Sequence, residues 1–158
     1  MTSKLISCGV LPVRKNGGNY EILLCLPSEC AFRSNNPNVF QGMGFLKGQM
    51  EGDETELDAA IREFAEESGN LDIELFDPEK FFVQNNPHKK IFIWPAKVLP
   101  TIRNHNKITE NGTVLDHDEE NALIKFYPIN DLPDVFRNQQ KILEEMLEFI
   151  EANKDKII

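Results

Sequence analysis

Alternating apolar and polar positions predict strands along much of the chain, and a 3.6-residue spacing predicts two helices. Strands are predicted at 5–13, 20–26, 39–45, 81–84, 91–98 and 122–127, with the KNGG sequence at 15–18 forming a hairpin turn. One helix follows an acidic loop after residue 50, and the other spans 138–153 with a core stripe of Ile142, Leu143, Met146, Leu147 and Ile150. Polar residues at 28–38 and 100–117 predict loops. Strands interspersed with two helices predict a layered α/β domain.

The first helix and the loop before it hold most of the chain's negative charge. Residues 48–70 contain eight acidic residues and one basic residue, a balance of −7 within a chain of net charge −9. Crowded carboxylates repel one another unless a cation lies among them, so the segment predicts a site for a hard metal ion. The alternative is a solvated acidic helix, which is what most charge runs are.

Local signals predict how this helix begins, ends and packs. Asp53 is the predicted N-cap, with Glu56 in the capping-box position, and Gly69 is the predicted left-handed stop. A core stripe is predicted at helical spacing, flanked by Ala60 and Ala65: Leu57, Ile61, Phe64 and Ser68. A different arc, beside Ala59 and Ala60, presents three carboxylates: Glu63, Glu66 and Glu67.

These residues resemble the Nudix box. Gly48, five residues, Glu54, seven residues and then Arg62-Glu63-Phe64-Ala65-Glu66-Glu67-Ser68-Gly69 match eight of its nine fixed positions. The departure is Asn70, where the family has an aliphatic residue, and we expect Leu71 to fill that packing position one place later. The resemblance implies an α/β/α sandwich with a mixed central sheet.

The resemblance also implies the chemistry. Glu63, Glu66 and Glu67 would hold one to three Mg²⁺ or Mn²⁺ ions, with Glu67 and Glu63 as the strongest ligands and the Gly48 carbonyl as another. Arg62 and Glu54 would pair and orient the glutamates. The implied reaction is metal-dependent hydrolysis of a phosphoanhydride in a nucleoside diphosphate linked to another group.

Composition limits the other classes of function. A chain of 158 residues predicts a single domain over 1–158, and a pI near 4.8 argues against broad binding of nucleic acid or anionic membrane. Three cysteines without a CxxC pair (Cys8, Cys25 and Cys30) indicate neither a disulfide framework nor a zinc site. Reduced thiols and a cytoplasmic setting are therefore expected. No signal peptide or membrane span is evident. The oligomeric state stays open.

A second resemblance extends along most of the chain, to the asymmetrical diadenosine tetraphosphatase branch of the Nudix family. Four stretches are similar to that branch: 7–14 with its Cys-Gly pair, 45–48 with Leu46 in place of a proline, 82–98 with Phe82 in place of the usual tyrosine, and 117–134. The leading substrate is therefore a dinucleoside polyphosphate such as diadenosine tetraphosphate. ADP-ribose, another dinucleotide or a nucleoside triphosphate is the alternative, and a non-catalytic nucleotide sensor is the hypothesis from a different class.

Candidate substrate contacts follow from the chemistry of a polyphosphate and a base. Lys47 and Lys89 are candidates for the phosphates, whereas His88 and one neighbouring lysine are interpreted as solvated loop charges. Phe82, Phe92 or Trp94 could stack on a base, although aromatic residues on alternating strands more often belong to a core. By resemblance, Glu119 matches a carboxylate that acts as a metal ligand or general base; the alternative is a flexible acidic loop.

Overall fold

The computed structural model describes residues 4–27, 42–105, 112–114 and 121–157. The described residues form the helices α1 (Glu56–Ser68), the short α2 (Ile102–His105) and α3 (Gln140–Ala152), together with 3₁₀ turns at Arg137–Gln139 and Lys154–Lys156. The strands are β1 (Leu5–Asn16), β2 (Asn19–Pro27), β3 (Leu46–Gln49), β4 (Ile73–Leu75), β5 (Phe82–Asn85), β6 (Lys89–Val98), β7 (Thr113–Val114) and β8 (Asn121–Pro128).

All eight strands belong to one mixed sheet. Its main order is β4-β6-β1-β2-β8-β7, with β3 pairing to β1 and β5 pairing to β6. The long central strands β1 and β6 run parallel, and the other pairings are antiparallel. The β1–β2 hairpin closes at the Asn16–Asn19 pair, where Gly17 adopts a positive φ of 63°, as the KNGG turn predicted.

Two apolar cores lie on opposite faces of the sheet. One face packs against α1, through Ala59, Ala60 and Phe64, and the other packs against α3, through Ile142, Leu143, Met146 and Ile150. The pleat divides the strands between them, since Val10 and Trp94 belong to the α1 core and Leu11 and Ile93 to the α3 core. The predicted α/β/α sandwich with a mixed sheet is confirmed.

Some predicted boundaries are wrong. The strand predicted at 39–45 lies instead at 46–49; Met43 and Gly44 make only single bridges, and 39–41 lie outside the described residues. Pairing explains the shift, because residues 46–49 have partners along β1 at Ser7–Val10. Strand β4 was not predicted, since three residues carry too little alternation. The predicted loop at 100–117 includes α2 and β7, and the predicted loop at 28–38 lies outside the described residues.

Within the described residues, no helix is both long and apolar enough to cross a membrane. Cys8 and Cys25 are buried beneath α1, and Cys30 lies outside the described residues. Burial, with the nearby carboxylates of Glu56 and Glu54, raises the pKa of the Cys8 thiol to about 12. Cys8 is therefore a protonated core residue at neutral pH.

Candidate active site

Helix α1 begins later than the sequence predicts. Its N-cap is Thr55, whose Oγ1 accepts a hydrogen bond from the Asp58 amide at 3.1 Å, so the prediction of Asp53 as N-cap is wrong. Gly52 has a positive φ of 54° and forms a turn in which the Glu54 amide donates to the Glu51 carbonyl at 3.2 Å. This turn keeps Glu54 outside the helix, where its carboxylate is available to Arg62.

The buried face of α1 also differs from the predicted stripe. Ile61, predicted to lie in the core, is 42% exposed, whereas Ala59 and Ala60 are fully buried and Glu63 is only 9% exposed. Because two alanines face the sheet, the helix backbone can approach it closely, and the arc that carries Glu63 turns inward. Phe64 and Ser68 are buried, as predicted.

The carboxyl group of Glu63 lies directly against Gly48 of β3. A Cβ built on Gly48 would overlap the carboxyl carbon and both carboxyl oxygens of Glu63. Only glycine leaves room for this contact, so the first and fourth fixed positions of the box meet in space. A carboxylate is thereby held beside the strand backbone from which a carbonyl ligand would come.

Arg62 connects the carboxylates of the loop and the helix. Its Nε and Nη2 donate to the two oxygens of Glu54 at 2.6 and 3.0 Å, and its Nη1 donates to Glu63 at 3.0 Å and to Glu66 at 3.5 Å. Nη2 also donates to the Gln49 carbonyl at 3.1 Å. The pairing of Arg62 with Glu54 is the one that the Nudix box implies, and its bidentate geometry fixes the plane of the guanidinium.

The charge network favours the ionised forms of its members. Hydrogen bonds from Arg62 and from the Glu51 amide, the latter 2.8 Å long, lower the pKa of Glu54 below its usual value. The carboxylates of Glu54 and Glu63 raise the pKa of Arg62 above its already high value. Both partners therefore stay charged throughout the neutral range.

The end of α1 accommodates the one departure from the box. Gly69 has the predicted left-handed conformation, with φ of 69°, and its amide donates to the Ala65 carbonyl. Asn70 is also left-handed, with φ of 64°, which asparagine tolerates far better than the aliphatic residues usual there. Leu71 is buried in the α1 core, as expected.

The donor set fits a hard divalent cation by its chemistry, since it offers three carboxylates and the Gly48 carbonyl, all oxygen ligands. Glu63 is placed against Gly48, Glu66 is exposed, and Oε2 of Glu67 is shielded from solvent. Across the described ranges, no three acidic, histidine or cysteine side chains stand close enough together to hold a metal ion. The guanidinium of Arg62 lies between the carboxylates instead.

Two of the predicted substrate contacts occupy one row across the sheet. Lys47 pairs with Gly9, Gly9 with Ile93, and Ile93 with Phe82, so the four lie side by side on the α3 face. A Cβ on Gly9 would come within 2.6 Å of the Lys47 Cβ, which explains the Cys-Gly pair of β1. The structure thus places Lys47 and Phe82 at opposite ends of the row.

The remaining candidates are spread over both faces. Lys89 begins β6 opposite Leu5, on the same face as Phe82. Phe82 packs against Phe149 of α3, with ring centroids 5.9 Å apart. Phe92, Trp94 and Lys90 lie on the opposite face, which packs against α1. There the Phe92 ring stacks near Trp94, and the Lys90 ammonium lies over the Phe92 ring. His88 is exposed, and Glu119 lies outside the described residues.

Two parts of the site were not predicted from the sequence. The Gln49 carbonyl anchors Arg62, and a backbone acceptor has no signature in the sequence. Thr55 caps the helix through its hydroxyl, which lies three residues before Asp58. The sequence contains this capping signal, but the Asp53–Glu56 pair matches the capping box and was chosen instead.

Comparison with known proteins gives the class to which this site belongs. Residues 5–149 match the NUDIX domain family, so the chain belongs to that family. The prediction of a Nudix hydrolase, made from the box, is confirmed at this level. No curated protein is similar enough in sequence to count as a match.

Solved structures share the fold at low sequence identity. A NUDIX hydrolase from Nitrosomonas europaea has a TM-score of 0.63 and 18% identity, covering 99% of this chain and 76% of its own. An Ap4A hydrolase from C. elegans, in a binary complex, has a TM-score of 0.59 and 20% identity, covering 94% and 98%. The NUDIX domain of Shewanella oneidensis NrtR, complexed with ADP ribose, has a TM-score of 0.56 and 15% identity, covering 94% and 90%.

Proposed function

We propose that this protein hydrolyses a phosphoanhydride bond in a nucleoside diphosphate derivative, and that its substrate is a dinucleoside polyphosphate such as diadenosine tetraphosphate. The proposal rests on the close contact between the Glu63 carboxyl group and Gly48. Arg62 holds Glu63 there by a hydrogen bond, and Glu54 in turn binds Arg62. A glutamate fixed at a strand carbonyl, on a helix with further carboxylates, suits a reaction in which anionic oxygens must be held and a water activated.

The residues of the chain have distinct parts in the proposed reaction. Water attacks one phosphorus, the bridging P–O bond breaks, and the leaving phosphate keeps the bridging oxygen. Glu67 or Glu119 takes the proton of the water, and Arg62 holds Glu63 in one orientation. Glu63, Glu66, Glu67 and the Gly48 carbonyl would hold Mg²⁺, or Mn²⁺ in its place, and that ion would supply positive charge to the phosphates and make water more acidic.

Substrate contacts complete the proposal. Lys47, on the strand that carries Gly48, places its ammonium against the phosphate chain, and Lys89 adds a second positive charge. Phe82 offers an aromatic ring to the adenine. The similarity in fold to an Ap4A hydrolase supports this substrate class. We further propose a single domain that acts on a small nucleotide in the cytoplasm.

ADP-ribose is the second candidate substrate. A similar fold is found in a NUDIX domain complexed with ADP ribose, and that ligand offers the same diphosphate to the carboxylates. A non-catalytic sensor is the third candidate, and retention of all three box glutamates argues against it.

Product analysis tests the reaction and the substrate together. The protein with Mg²⁺ is given equimolar diadenosine tetraphosphate, ADP-ribose and ATP, and the products are separated by ion-exchange chromatography. ATP and AMP formed first from the dinucleotide support the proposal. AMP and ribose phosphate formed first assign ADP-ribose hydrolysis instead, and the absence of products from all three contradicts the proposed reaction.

A further inference from the structure

Gln84 of β5 is a polar residue that the proposed mechanism does not use. Its Nε2 donates to Asn86 Oδ1 at 3.3 Å, which leaves Oε1 as the acceptor end of the amide. Oε1 is shielded from solvent and accepts no hydrogen bond within the part of the chain that the structure describes. Buried acceptors are almost always hydrogen-bonded in proteins, so a partner from outside the described chain is expected.

The position of Gln84 connects it to the candidate substrate contacts. Gln84 pairs with Ile91, Ile91 with Ser7, and Ser7 with Gln49, which forms a row directly beside the row that joins Phe82 to Lys47. Residues two apart on a strand share a face and lie about 7 Å from each other. The Gln84 amide therefore lies beside the Phe82 ring on the α3 face.

We propose that Gln84 determines base specificity by accepting a hydrogen bond from the amino group of an adenine that lies against Phe82. This inference rests on the proposed function. Adenine offers an amino donor next to a ring-nitrogen acceptor, which matches the two ends of a glutamine amide. Hypoxanthine has a carbonyl in place of the amino group. Its carbonyl oxygen and Gln84 Oε1 are both acceptors, so no hydrogen bond would form between them.

Nucleotide binding without turnover tests this assignment. ATP and ITP are titrated calorimetrically in EDTA into the wild-type protein, Gln84→Met and Asn85→Leu. Asn85 is the matched control, because it is exposed and points to the opposite face. The wild type and Asn85→Leu should bind ATP about 10- to 100-fold more tightly than ITP, as one amide–base pair allows. Gln84→Met should bind the two equally.

Gln84→Glu is a second variant, since its carboxylate still accepts a hydrogen bond and should keep the preference for ATP. Equal affinity of the wild type for ATP and ITP, no binding of either, or a preference that persists in Gln84→Met would overturn the assignment. The hydrolysis assay is read separately. Preferential binding of ATP over ITP without any hydrolysis products would contradict the proposed reaction but not the role of Gln84. Equal kcat/KM for adenine and hypoxanthine dinucleotides would contradict the role of Gln84 but not the reaction.

Discussion

Gly48 and Arg62 act through contacts that no other residue types could make. Gly48 leaves room for the Glu63 carboxyl group because it has no side chain, and Arg62 donates hydrogen bonds to three carboxylates because a guanidinium has donors in a planar fork. Both residues and the Glu54–Arg62 pair were implied by the resemblance to the Nudix box. The close approach of Glu63 to the strand could not be predicted, since it depends on how β3 and α1 meet.

Substitution of Gly48 by alanine tests this contact. The new Cβ would overlap the Glu63 carboxyl group, so we expect a loss of about 1–3 kcal/mol in the free energy of unfolding. Displacement of Glu63 by about 1 Å should lower kcat by about a hundredfold. Gly18→Ala is the control, since a Cβ there meets nothing within 4 Å. Equal activity of Gly48→Ala and Gly18→Ala would show that the contact of Glu63 with Gly48 has no catalytic importance.

The lowered pKa of Glu54 predicts a dependence of stability on pH. A carboxyl group with a lower pKa in the folded state stabilises the fold above its unfolded pKa, near 4.5, and loses that effect as the pH falls through the folded value. Glu54→Gln should therefore unfold at lower urea concentration than the wild type at pH 7. The difference should disappear at acid pH. A difference that stays constant down to pH 3 would contradict the ionic nature of the Arg62 pair, and exposed Glu144→Gln is the control.

At the scale of elements, the meeting of α1 with β3 depends on where the helix begins. The sequence predicted the helix and its end at Gly69, but two competing capping patterns lie within three residues of each other. The Gly52 turn decides between them because it places Glu54 outside the helix, where Arg62 binds it. Helical periodicity alone misplaced Ile61, since it does not record which arc faces the sheet.

Paired substitutions distinguish the two capping patterns. Thr55→Ala removes the hydroxyl that accepts from the Asp58 amide and should lower the free energy of unfolding by about 1 kcal/mol. Asp53→Ala should change it by less than about 0.5 kcal/mol, as is usual for an exposed position. Urea unfolding of the two variants measures both values. A larger loss of unfolding free energy in Asp53→Ala than in Thr55→Ala would show that Asp53 is the N-cap, as predicted from the sequence.

For the whole molecule, the sheet brings together residues that are far apart in the chain. The box strand β3, which carries Lys47, and the strand pair β5–β6 belong to one sheet because β1 pairs with both β3 and β6. The alternating pattern predicted most strands and a layered α/β domain, and the resemblance to the Nudix box implied the sandwich. The pattern could not predict that Phe82 and Lys47 share a row, because register depends on pairings between distant strands.

The most direct test of the central claim is the kcat of Glu67→Gln with diadenosine tetraphosphate and Mg²⁺, measured beside Glu144→Gln. Glu144 is an exposed glutamate of α3, so its substitution controls for the loss of one charge. If Glu67 holds metal or takes the proton of water, kcat should fall by about two to four orders of magnitude while Glu144→Gln stays at the wild-type rate. Equal rates for Glu67→Gln and the wild type would contradict the assignment of the reaction to the α1 carboxylates.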